Sequence, residues 1–198
     1  RSGAISKDTW VIASEPERIV SLLDDKSSST KVALQADTPS RVMENLFWVG
    51  RYAERAEGAL RLLRTVFIQL NGVRLPEQTY QMLLRAVTHV TTTYPGFVEC
   101  NRDLIKHPEP ELRSVILDRD RMGSVASSLL AMLSSAEQVK EVLSVDTQRI
   151  INDLRDELSQ MERTLNSGLT SAPEETLDPT VTSLLAFAGL AEESMVRE

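Results

Sequence analysis

From residue 38 onward, apolar residues recur at spacings of three and four. Val42, Leu46, Val49, Ala53, Ala56, Leu60, Leu63 and Phe67 share one face of a helix. Thr38-Pro39 supplies a cap with proline in the first turn, and Asn71-Gly72 ends the run. A second helix starts at Pro76, with Tyr80, Leu83, Leu84, Val87 and Thr91 on one face, and stops at Pro95-Gly96. Residues 97–108 are irregular or a short helix, and a further short helix is expected over Glu109–Leu117. Gly123-Ser124 opens the next helix, with Val125, Leu129, Met132, Ala136, Val139 and Leu143 in register. Ser144 caps the one after it, where Ile151, Leu154, Leu158, Met161 and Leu165 form a heptad seam. Asn166-Ser167-Gly168 closes that helix. Asp178-Pro179 is expected to open a last one, containing Val181, Leu184, Leu185, Ala188 and Met195. The pattern predicts an all-α fold, a bundle of about five substantial helices.

Residues 1–37 break this pattern and are expected to be an extended or strand-like tail. Thr9-Trp10-Val11-Ile12-Ala13 is a short β-prone run, and Glu17 to Leu23 suits two helical turns. The polar stretch from Asp24 to Thr30 reads as a linker. A single strand is not stable alone. The segment is therefore either a flexible tail or the end of a preceding domain. With no initiator Met and no signal-like stretch, the chain reads as a fragment.

Composition narrows the function classes. The 198 residues are 41% hydrophobic and 26% charged, which is ordinary for a globular domain. The net charge of −7 argues against a nucleic-acid surface. No apolar run approaches the ~20 residues of a membrane span. The single Cys100 excludes an intrachain disulfide and fits a cytoplasmic setting.

Candidate chemistry concentrates between Ser40 and Glu57. The wheel of this first helix puts Asn45 on the apolar face, with Trp48 and Tyr52 flanking it, and Met43 and Phe47 nearly opposite. The helix is therefore expected to be central, with neighbours on two sides and some charges partly buried. Trp48, Arg51, Tyr52, Glu54 and Arg55 could form a polar groove for a peptide or a carboxylate. Arg51 and Arg55 would hold a carboxylate, Glu54 an amine, and the aromatic rings would wall the site. The same cluster also suits an internal salt-bridge lattice, because a buried charge needs a partner. Elsewhere, His89 is expected to be solvated. His107 and Cys100 lack a third partner at a metal or nucleophile spacing, so no metal site is expected. Glu192 either pairs with an arginine of another helix or borders the core.

The stretch Ser40-Arg41-Val42-Met43-Glu44-Asn45-Leu46-Phe47-Trp48-Val49-Gly50-Arg51-Tyr52-Ala53-Glu54-Arg55-Ala56 resembles the opening signature of the bacterial alpha-E domain family. Gly123 to Leu129, and Leu185 to Leu190 with Glu193-Ser194-Met195, resemble its later helices. Ile5-Ser6-Lys7-Asp8-Thr9-Trp10-Val11 resembles the C-terminal end of circularly permuted ATP-grasp proteins, which are often encoded beside alpha-E domains or fused to them. The resemblance implies two parts: residues 1–37 as the end of an ATP-grasp-like domain plus linker, and residues 38–198 as the first part of an alpha-E bundle. It implies an accessory module of a carboxylate–amine ligase that docks to an ATP-grasp domain, in cis or in trans, and helps bind a peptide or amino-acid substrate. ATP and magnesium are implied only for the full ATP-grasp parent, not for this chain. Two rivals stand beside it. One is an enzyme of peptide formation or modification completed by a second half, with Glu54 or Glu57 as general base. The other is a purely structural oligomerisation bundle.

Overall fold

The computed structural model describes residues 40–72, 75–98, 102–167 and 173–196. The chain divides between Asp37 and Thr38, and every described residue belongs to the second unit. The expected strand over Thr9 to Ala13 and the helical turns from Glu17 lie outside the described residues.

Seven α-helices occur among the described residues: α1 (Ser40–Asn71), α2 (Glu77–Thr91), α3 (Arg102–Lys106), α4 (Glu109–Leu117), α5 (Val125–Glu137), α6 (Val145–Asn166) and α7 (Pro173–Val196). Five are substantial, and none of the described residues forms a strand. Packing closes a ring of four helices, α1 on α5, α5 on α6, α6 on α7 and α7 on α1; α2 adds to α1 and α4 to α5. At 32 residues, α1 is the longest helix, about 48 Å from end to end. Ala53, Ala56 and Ala59 keep its buried face slim, while Leu60, Leu63, Val66 and Phe67 fill the centre. All five heptad positions of α6 are buried, each worth about 1.5–3 kcal/mol of apolar transfer. Ser124 and Ser144 cap α5 and α6, each side chain accepting from the backbone N–H three residues on, at 3.0 and 3.1 Å.

Three expectations need correction. The second apolar side of α1 meets solvent: Met43 and Phe47 are each 62% exposed. A wheel gives the direction of a side chain but not whether a partner lies there. Next, α5 ends at Glu137, before Val139 and Leu143. A 3-10 turn at Lys140–Val142 follows, and burial of Val139 continues past the end of the helix. Finally, α7 starts at Pro173, leaving Pro179 inside it. An interior proline removes a backbone hydrogen bond at a cost of about 3 kcal/mol. Full burial of Leu177, ahead of Val181 and Leu184, holds the preceding turns helical against it.

The loop between α4 and α5 is tied down by a knot of polar contacts. Arg121 donates to Ser114 Oγ at 2.9 Å, to Thr93 O at 2.6 Å and to Glu111 Oε1 at 2.5 Å. It therefore joins α4, the segment after α2 and its own loop. Both members of the Arg121–Glu111 pair are mostly buried. Asp118 Oδ1 accepts from the backbone N–H of Asp120 and of Arg121. Arg119 grips Glu162 of α6 with two hydrogen bonds of 2.8 Å.

Glu157 joins the outer pair of helices. It sits half-buried on α6, and Ser183 Oγ of α7 donates to its Oε1 at 2.6 Å. Burial pushes its carboxyl above the usual carboxylate range, and nearby Asp153 adds to the rise, against the opposing effect of the Ser183 bond.

Arg121→Met should lower stability by about 2–4 kcal/mol in urea unfolding of the 198-residue chain, because Glu111 is left mostly buried and unpaired. Adding Glu111→Gln should recover part of that loss, since two contacting residues are not additive. Glu157 has a raised folded pKa, so its contribution is fully present below about pH 4.3 and is lost as pH rises through the folded value. Glu157→Gln should therefore raise Tm at pH 7, by about 1–2 °C after allowance for solvent screening, and leave Tm little changed at pH 4. A thermal melt series from pH 4 to pH 7 measures both.

Candidate functional site

Helical spacing brings Trp48, Arg51, Tyr52 and Arg55 to one side of α1, at steps of three and four, with Glu54 at its edge. The structure places all five on the wall of a cleft of about 860 Å³. Val90, Thr91 and Thr92 at the end of α2 line another side, and Asp120, Met122 and Gly123 of the α4–α5 loop a third. Ser127, Ser128 and Ala131 come from α5. The volume lies within the usual range for small-ligand sites, about 300–1,000 Å³.

Trp48 and Tyr52 stack with ring centroids 5.5 Å apart and planes 27° apart. Phe47 meets Trp48 edge-on at 5.3 Å. The stack is a flat apolar wall at the mouth of the cleft.

The charged residues of the cleft divide into two kinds. Arg55 is committed to the protein: its Nη2 donates to Thr91 O at 3.1 Å and to Thr92 Oγ1 at 2.6 Å. This clamp holds Thr92, a β-branched residue with φ 60°, a left-handed conformation that costs on the order of 1–3 kcal/mol. Arg51 and Glu54 are different. They lie 3.9 Å apart, too far for a hydrogen bond, and their side chains are 65% and 78% exposed. An internal lattice at this position would bury both heads, and neither is buried. The mostly buried ion pair near the cleft is Arg121–Glu111 instead, outside the helix where the sequence pointed. Arg55 thus braces the wall through Nη2, the nitrogen that both forks of a guanidinium need, so it keeps single bonds from Nε or Nη1 but no two-pronged grip for a carboxylate.

Gly123 closes the junction behind the cleft. Its φ of +93° favours glycine, and a Cβ there would meet Thr91 O, with Arg55 Nη2 and Thr92 Oγ1 at 3.1 Å. Helix α1, the end of α2 and the loop therefore meet with no room for a side chain.

The other candidates do not join the cleft. Glu57 bonds Arg61 at 3.0 Å and faces elsewhere. His89 is exposed, as expected, but its Nδ1 lies 2.7 Å from Tyr94 Oη. His107 and Glu192 are exposed. Cys100 lies outside the described residues. Among the described residues, no group of three or more His, Cys, Asp or Glu comes together in a way that could hold a metal ion. No described helix is long and apolar enough to cross a membrane.

Sequence reasoning missed Asp120, Met122 and Gly123 as cleft residues. The available signal was Asp118-Arg119-Asp120-Arg121-Met122-Gly123, a run of alternating charges closed by glycine. It looks like a solvated loop until Glu111, Ser114 and Glu162 are seen to fix it.

Comparisons with known proteins agree with this architecture. Residues 38–198 match Alpha-E, described as a predicted alpha-helical domain with a conserved ER motif. Two Glu-Arg pairs fall in that span, Glu54-Arg55 and Glu162-Arg163. Arg55 of the first clamps the end of α2, and Glu162 of the second grips the loop through Arg119. The chain is similar to the uncharacterised protein Rv2567 of Mycobacterium tuberculosis, 29% identical over 211 aligned residues that take in 98% of this chain. It is equally similar to the uncharacterised protein Mb2597 of Mycobacterium bovis, 29% identical over the same share. The chain spans 23% of the length of these relatives. No solved structure matches it. The family match covers the whole described fold, α1 to α7, and the chain belongs to the Alpha-E family.

Proposed function

We propose that this chain is a helical accessory module that binds a peptide or amino-acid substrate for an ATP-grasp carboxylate–amine ligase. One observation carries the binding half of this reading. Arg51 and Glu54 stand open to solvent on the wall of a cleft of about 860 Å³, beside the Trp48–Tyr52 stack. A carboxylate gains a charge-assisted bond from Arg51, an ammonium from a carboxylate of the lining, Glu54 or Asp120, and an apolar side chain a surface on the rings.

The ligase half rests on the residues ahead of the bundle. Ile5 to Val11 resembles an ATP-grasp C-terminus. The 98% alignment with the mycobacterial relatives leaves only a handful of unmatched residues, so it extends ahead of residue 38. ATP and magnesium belong to the ligase domain in this reading. Of the two arginines of the cleft, only Arg51 keeps its whole guanidinium fork open, and carboxylates line the cleft beside it, which suits a zwitterion better than a triphosphate. Met43, Leu46 and Phe47 leave an exposed apolar strip at the start of α1, which supports docking to a protein partner.

The test is peptide-dependent ADP release by a protein carrying this module joined to an ATP-grasp domain. Arg51→Ala should reduce that rate about tenfold at subsaturating peptide, while the circular dichroism spectrum and melting temperature stay as in the parent. An unchanged rate would overturn the reading.

A further inference from the structure

We infer that the cleft selects ligands by their two free ends: a free carboxylate at Arg51 of α1 and a free ammonium at Asp120 of the α4–α5 loop. The inference rests on the proposed peptide-binding role and narrows its substrate to short zwitterionic peptides or amino acids.

Among the described residues, four charged side chains line the cleft: Arg51, Glu54, Arg55 and Asp120. Arg55 commits Nη2 to Thr91 and Thr92 and has no two-pronged grip left. Glu54 sits one turn from Arg51, on the same helix and within 3.9 Å of it. A ligand bound through those two alone would lie along α1 and leave the loop side of the cleft unused. Asp120 lines the cleft from the α4–α5 loop. Its backbone N–H is held by Asp118 Oδ1, and its carboxylate has no hydrogen-bond or ion-pair partner among the described residues. The loop that carries it is fixed by Arg121 on one side and by Arg119 on the other. The carboxylate is thus presented from a rigid frame, with little ordering required on binding. Arg51 likewise has no partner within hydrogen-bonding distance among the described residues. A positive group on α1 and a negative group on the loop, with an aromatic stack beside the positive one, match a carboxylate, an ammonium and an apolar side chain. Met122, exposed next to Asp120, adds an adaptable apolar surface over the ligand.

The experiment is calorimetric titration of the 198-residue chain with the dipeptide Ala-Phe, its C-terminal amide and its N-acetyl form. The free dipeptide should bind, and each cap should weaken it about tenfold. Amidation should cost nothing further in Arg51→Ala, and acetylation nothing further in Asp120→Asn, because each variant lacks the group that the cap defeats. If the capped forms bind as tightly as the free dipeptide, the two-ended recognition is wrong while the peptide-binding reading stands. If each cap costs as much in the variants as in the parent, the assignment to Arg51 and Asp120 is wrong. If neither the free dipeptide nor longer peptides bind, the proposed function itself fails and this inference with it.

Discussion

The pair of Arg121 with Glu111 is the contact on which the rest of the site depends. Arg121 is a loop residue, yet its guanidinium reaches the carboxylate and hydroxyl of α4 and the carbonyl of Thr93 behind α2. One side chain fixes the loop both to the helix just before it and to the segment after α2, 28 residues away in sequence. A loop that faced water with its charges unpaired would wander, and Asp120, Met122 and Gly123 would have no defined place. Because both members are mostly buried, neither can be removed alone without leaving an uncompensated charge. The knot therefore favours a single loop conformation as well as adding stability.

Against this frame, α1 plays two parts. Its C-terminal two-thirds is core, with alanines and leucines that let α5 and α7 approach. Its N-terminal third is surface, where Phe47, Trp48 and Tyr52 line up in ring contact. The change comes between Trp48 and Ala53, where arginine and glutamate begin to alternate with buried positions. Arg55 faces the end of α2 and braces it, whereas Arg51, one turn earlier, points to solvent. Two arginines on one face of one helix thus have different tasks, and only their partners distinguish them.

Much of the fold was legible in the sequence, since a three-four apolar pattern over long segments permits little else. Every heptad residue of α6 is buried, and Ser124 and Ser144 cap where serine before an apolar run should. The failures are local. Pro179 looked like a helix start because proline suits a first turn, but burial of Leu177 outweighed its lost hydrogen bond. Met43 and Phe47 looked buried because periodicity registers apolarity and not the presence of a neighbour. The five candidate residues on α1 do come together on one wall, since one helix alone sets their relation. The loop side of the cleft was not legible: Asp120 and Met122 are placed by the contacts of neighbouring Arg119 and Arg121 to Glu162, Ser114 and Glu111, which no local pattern encodes.

A ligand held between α1 and the α4–α5 loop leaves its mark on both elements. Mapping of backbone amide chemical shifts in the ¹⁵N-labelled 22.1 kDa chain, as short peptides are added, reads this directly. Saturable shifts should cluster at Trp48, Arg51, Tyr52, Asp120 and Gly123, with α6 unaffected. Shifts centred on another face, or none at saturating peptide, would contradict it.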